Sequence, residues 1–157
     1  MIFKVYYIHM EQTTHISQTC GYLLTKLGQT AFDAFTLKLA PLGLRPKHCG
    51  TLAVLESLRQ PTQQSLGQVL GVVPSAIVGI LDDLEELAAI SRTPDSDDRR
   101  KFRIELTATG KSLLRDATQI ANELDAELLV QLSTTERELL QQLLQKTGLF
   151  GVVQAGR

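Results

Sequence analysis

Tryptophan is absent from this chain, cysteine occurs twice, and aromatic side chains make up only 5% of its 157 residues. Cys20 and Cys49 stand far apart, so two thiols give no disulfide framework. With no third ligand at metal spacing they give no zinc pattern either. A surplus of positive charge is lacking as well: 16 basic side chains face 17 acidic ones, for a net charge of -1. No bulk basic field announces a nucleic acid, and any such contact must be local. Long apolar runs are missing too. The opening Met1 to His9 is interrupted by Lys4, is too short to span a bilayer and shows no small-residue cleavage site, so no membrane partner and a cytoplasmic location are expected. These residues sit at the start of an N-terminal extension, 1–15, to which no function is assigned.

Catalytic signatures are also wanting. No Ser/His/Asp array, paired-carboxylate spacing or nucleotide fingerprint is present, so neither an enzyme nor a cofactor is expected. Gly110-Lys111-Ser112 imitates the end of a phosphate-binding loop, yet that motif needs glycine where this chain has Glu105. With 43% hydrophobic residues and no Pro/Gly/Ser linker or repeat, the chain can bury one ordinary core.

What is present is helical periodicity. Tyr22, Leu23, Leu27, Ala31, Phe35 and Leu39 recur at the spacing of a long amphipathic helix that Pro41 and Gly43 end. Pro46 stands where a first-turn proline belongs, ahead of a second helix carrying Leu52, Leu55 and Leu58 and stopping before Pro61. Thr62 caps a short third helix with Leu66, Val69 and Leu70. After the turn Gly71 to Pro74, a fourth carries Ile77, Ile80, Leu81, Leu84 and Leu87. Two helices joined by a tight glycine-containing turn form a helix-turn-helix unit. A fifth helix runs from Thr107 with Leu113, Ala117, Ile120, Leu124 and Leu128. Ser133 and Glu136 then make a capping box for a sixth with Leu139, Leu140, Leu143 and Leu144.

Between the fourth and fifth helices, residues 97–110 read as a charged hairpin tip running into a capped helix. Cations crowd from Arg100 to Arg103, and Phe102, Ile104 and Leu106 alternate with Arg103 and Glu105 as one face of a strand. A charge run is usually a solvated surface loop. Running directly into a capped helix, this one reads as a DNA-binding wing. The expected fold is mainly α with a small β wing: a winged helix-turn-helix over about 46–106 between long helices at about 16–40 and 107–147, with a tail at 148–157. The apolar stripes of those flanking helices are wide for a monomer, and a symmetric dimer would bury them.

The chain resembles the MarR family of bacterial transcription regulators over residues 16–147. Asp98-Arg99-Arg100 followed by Leu106-Thr107 and Gly110 carries the resemblance, with Leu42-Gly43-Leu44 and Pro46, Leu81-Asp82-Asp83-Leu84-Glu85, and the Leu132-Ser133 to Leu140 segment in support. The resemblance implies a homodimer held by the first, fifth and sixth helices, with the fourth helix of each protomer in a major groove of double-stranded DNA. It also implies a ligand-responsive repressor on a pseudo-palindromic operator, released by a small aromatic or anionic effector or by cysteine oxidation.

Carried onto this sequence, Arg100 is the wing arginine near the minor groove, Asp98 its hairpin-setting partner, and Arg99, Lys101 and Arg103 phosphate contacts, with Arg92 joining the DNA set. Ser75, Ala76, Val78 and Gly79 are left for base contact on the fourth helix, and Gln63, Gln64 and Ser65 could bind phosphates from the third. A polar, solvated helix start explains those last three almost as well. No lysine or arginine lies between Arg59 and Arg92, while Asp82, Asp83, Glu85 and Glu86 stack acid toward the end of the fourth helix. Bidentate arginine readout of guanine from that helix is therefore excluded. The same deficit motivates an alternative, a winged-helix protein-interaction module with weak or lost DNA binding. Phe35, Arg45 and His48 are candidates for an effector crevice, against ordinary packing. Cys20 is the candidate for a redox-sensing regulator, against a simple buried thiol.

Overall fold

The computed structural model describes residues 15–58, 61–94 and 102–147. A 3-10 turn, Ile16–Gln18, leads to Thr19, whose hydroxyl accepts from Tyr22 N at 3.4 Å and caps α1, Cys20–Leu39. A second 3-10 turn, Ala40–Leu42, ends at Gly43 in the left-handed region with φ 69°. Pro46 opens α2, Pro46–Ser57, at a position where its missing N–H leaves no bond unmade. α3, Gln63–Leu70, ends at Gly71 with φ 63°, the turn that sends the chain into α4, Pro74–Glu86.

β1, Ile90–Pro94, pairs antiparallel with β2, Phe102–Leu106, in the register Ile90↔Leu106 to Pro94↔Phe102. The alternation expected along β2 holds at its inner end, where Ile104 is buried. It fails at Phe102, which is 48% exposed because the core does not extend under the outer end of the hairpin. α5, Ala108–Leu128, and α6, Thr134–Lys146, complete the chain. Ser133 and Glu136 form the expected capping box. The Ser133 hydroxyl and backbone N–H bonds to the Glu136 carboxylate lower its pKa from the ordinary value.

The core gathers Leu52 of α2, Leu66 of α3, Ile77, Leu81 and Leu84 of α4, and Ile104 of β2, all nearly inaccessible, with Leu39 and Ala117 joining α1 and α5 to it. Each such leucine or isoleucine contributes about 1.5–3 kcal/mol through loss of water contact. The Leu106-Thr107 to Gly110 spacing has a specific job here. Thr107 Oγ1 donates to Ala88 O at 2.7 Å and accepts from Gly110 N at 3.0 Å, so one hydroxyl caps α5 and ties it to the end of α4. Gly110 lets α5 seat there: a Cβ on it would lie 2.1 Å from Ala89 O.

The flanking helices are different. α1 runs along α5, yet of its residues only Leu39 is buried, and α6 buries none. Leu23, Leu27, Phe32, Leu37, Leu139 and Leu143 all remain exposed.

Candidate nucleic-acid interface

The helix-turn-helix is built from α3 and α4. Thr62 Oγ1 accepts from Ser65 N at 3.2 Å, and Ser65 Oγ accepts in return from Thr62 N at 2.9 Å. Ser65 is thereby engaged in the cap and half-buried, while Gln63 and Gln64 stand exposed beside it. The two glutamines rim a hollow of about 560 Å³ floored by Gly67, Val72 and Ile77 where α3 meets α4.

Along α4 the apolar positions Ile77, Ile80, Leu81 and Leu84 turn inward. The other face presents Ser75, Ala76, Val78 and Gly79 to solvent. Apart from the local helix backbone, no atom of the described residues lies within 4 Å of where a Gly79 Cβ would stand, so that surface is open to close approach. Its side chains are small and neutral, suited to thymine methyls and short hydrogen bonds.

The acids of α4 are largely matched within the protein. Asp83 Oδ2 accepts from Arg45 Nη2 at 2.5 Å and lies 3.1 Å from His48 Nε2. His48 Nδ1 accepts from Arg45 N at 3.2 Å, which places the ring proton on Nε2, donating to Asp83. Burial, the largest influence, lowers the His48 pKa although the Asp83 bond opposes it, so the ring is neutral above 6.5. On the opposite flank Arg92 Nη2 donates to Asp82 Oδ1 at 2.6 Å and its Nε faces Glu85 Oε2 at 3.5 Å.

These pairings alter several expectations. His48 is fully buried against Asp83, which corrects the picture of a side chain facing an anionic ligand. Arg45 keeps its side chain 54% exposed but is anchored on the same carboxylate, and Phe35 packs half-buried on the core. Arg92 turns onto α4 rather than outward. Arg103 is half-buried opposite Thr93. Asp98, Arg99, Arg100 and Lys101 lie outside the described residues. Cys20 is exposed at the start of α1. Cys49 is half-buried, and burial pushes its thiol up to about 11. Among the described residues no three His, Cys, Asp or Glu side chains stand close enough to hold a metal, and no single helix is long and apolar enough to cross a membrane. The role of the acids was the feature missed from sequence. Its one signal was His48 in the first turn of α2, a polar side chain where a core position falls.

A helix-turn-helix followed directly by an antiparallel hairpin defines a winged helix-turn-helix protein. Residues 48–102 match the MarR family model. A MarR-family transcriptional regulator from Rhodococcus sp. RHA1 is similar at 27% identity and TM-score 0.75, over 87% of this chain and 99% of that one. The transcriptional repressor CouR, solved on a 23-mer DNA duplex, is 27% identical with TM-score 0.75, over 84% of this chain and 94% of its own. CouR of Rhodococcus jostii RHA1 has also been solved with p-coumaroyl-CoA. A Mycobacterium tuberculosis MarR family protein in complex with salicylic acid matches at 27% identity and TM-score 0.67, over 83% of this chain and 96% of that one. Residues 48–102 thus carry a MarR family match within a chain whose winged-helix fold is that of solved MarR-family transcription regulators.

Proposed function

We propose that this chain represses transcription as a homodimer on a pseudo-palindromic operator, with half-sites about 10 bp apart to match the protein two-fold. One observation carries the reading: α4 exposes a stripe of small neutral side chains, Ser75, Ala76, Val78 and Gly79, beside an antiparallel hairpin. The likeness to CouR, a repressor solved on a DNA duplex, supports DNA as the partner, and α4 would lie in its major groove. With no cation on α4, the electrostatic grip falls to the wing, where Arg100 enters the minor groove and Arg99, Lys101 and Arg103 meet phosphates. Gln63 and Gln64 add amide contacts from α3, and Asp98 sets the hairpin. The exposed apolar faces of α1 and α6 are the dimer surface. A small aromatic or anionic molecule is the effector class, supported by the salicylic acid and p-coumaroyl-CoA complexes of the relatives, with Arg45 the exposed cation for it.

Selection of duplexes from a random-sequence pool, followed by titration of the selected duplex at several salt concentrations, tests this. Affinity should fall linearly on a log–log plot as phosphates release counterions, and a scrambled duplex should bind far more weakly. Equal affinity for both duplexes refutes an operator-specific regulator.

A further inference from the structure

On α4 the exposed stripe Ser75, Val78 and Gly79 continues, at helical spacing, to Asp82. Its carboxylate is 53% exposed, so a helix laid against DNA along that stripe would bring a negative group toward the phosphates. Arg92 is placed to prevent this. It sits opposite Ile104 in the antiparallel ladder, and directly opposed residues share a face, so it leans with a buried isoleucine toward α4. Its side chain is 21% exposed. Nη2 reaches Asp82 at 2.6 Å, while Nε, buried and without a hydrogen bond among the described residues, faces Glu85 at 3.5 Å. Reaching a phosphate would mean breaking both pairs and leaving Glu85 and Asp82 bare.

We infer that Arg92 is a positioning residue that masks the acidic end of α4 and braces it to β1, rather than a phosphate ligand. This rests on the DNA-binding reading. It also explains how a fourth helix rich in acid and empty of cations can face DNA at all: the balancing charge comes from the first strand of the wing. A guanidinium suits the task, since it can address two carboxylates from one planar head.

A double-mutant cycle on the duplex selected by the wild-type protein decides the matter. Arg92→Gln should weaken binding by about 10-fold. Asp82→Asn removes the negative charge from the same pair, and it should bind equally well or tighter because position 82 no longer carries a carboxylate toward the phosphates. Asp82→Asn combined with Arg92→Gln should recover most of the loss, and Arg92→Lys should stay near wild type. The salt slope should be unchanged in Arg92→Gln, whereas loss of a phosphate ligand lowers it by about one. If Asp82→Asn weakens binding as Arg92→Gln does, the pair is merely structural and the masking role is overturned. A lowered slope with no recovery in the double variant makes Arg92 a phosphate ligand and overturns it equally. If wild-type protein selects no duplex, the DNA reading itself fails and masking falls with it, an outcome distinct from a duplex that binds with the wrong pattern of variants.

Discussion

The winged unit from α2 to β2 and the flanking helices α1 and α6 use leucine in opposite ways. In the first, Leu52, Leu66, Leu81 and Leu84 are sealed from water by neighbours within the same chain. In the second, Leu23, Leu27, Leu139 and Leu143 are left open. Leucines recur at helical spacing in both regions, so periodicity alone does not say what a face packs against. The core of the winged unit is closed within the chain, with Leu39 and Ala117 of the neighbouring helices, and its α4 leaves a small, neutral face exposed. The flanks hold an unfinished core, and in our proposal a second copy completes it.

The sharpest way to break that contrast is to cut one leucine from each region. Leu81→Ala should cost about 2–5 kcal/mol of unfolding free energy, since it opens a cavity that the packed neighbours only partly refill. Its cost should not depend on protein concentration. Leu143→Ala should act chiefly through association, so its effect on the unfolding midpoint should grow on dilution. Equal, concentration-independent losses would erase the distinction.

A similar loss, about 3 kcal/mol, is expected for Gly110→Ala, because the new Cβ would meet Ala89 O at 2.1 Å and force α5 off the end of α4. Chemical denaturation measures it, and a loss under about 1 kcal/mol would show that the joint yields.

A smaller effect, set by pH, should come from His48. Its folded-state pKa lies below its unfolded value of 6.5, so the stability tied to the neutral ring is full above 6.5 and is lost as pH falls from there toward the folded-state pKa. Thermal unfolding across that range should show an acid limb that His48→Gln makes shallower. An unchanged limb would place the titration elsewhere.

The smallest expected effect is a gain. Gly79→Ala should stabilise α4 by about 0.5–1 kcal/mol, there being no atom of the described residues beyond the local helix backbone within 4 Å of the added methyl. It should weaken duplex binding at the same time by holding α4 off the groove. Undiminished affinity would remove Gly79 from the contact surface.

Much of this was legible in the chain because the signals were local. Pro46, Thr62, Gly71, Thr107 and the Ser133/Glu136 box each set an element boundary through backbone chemistry within a few residues. The long-range partners were hidden. Asp83 meets Arg45 and His48 from another helix, and Asp82 meets Arg92 across the turn into β1. A run of acids therefore looked like an open surface when three of its four members were matched inside the protein. Phe102 misled for the converse reason: strand alternation is a local pattern, and whether a core lies beneath it is not. Ser65 likewise has the polarity of a phosphate contact but spends its hydroxyl on the Thr62 cap.

The native mass of the complex between the protein and its selected duplex, measured at saturating duplex, tests the contrast and the proposed function together. Two chains per duplex, with Leu143→Glu in α6 abolishing the complex, is the expected result. One chain per duplex at undiminished affinity would contradict it, leaving the open faces of α1 and α6 without a role in DNA binding.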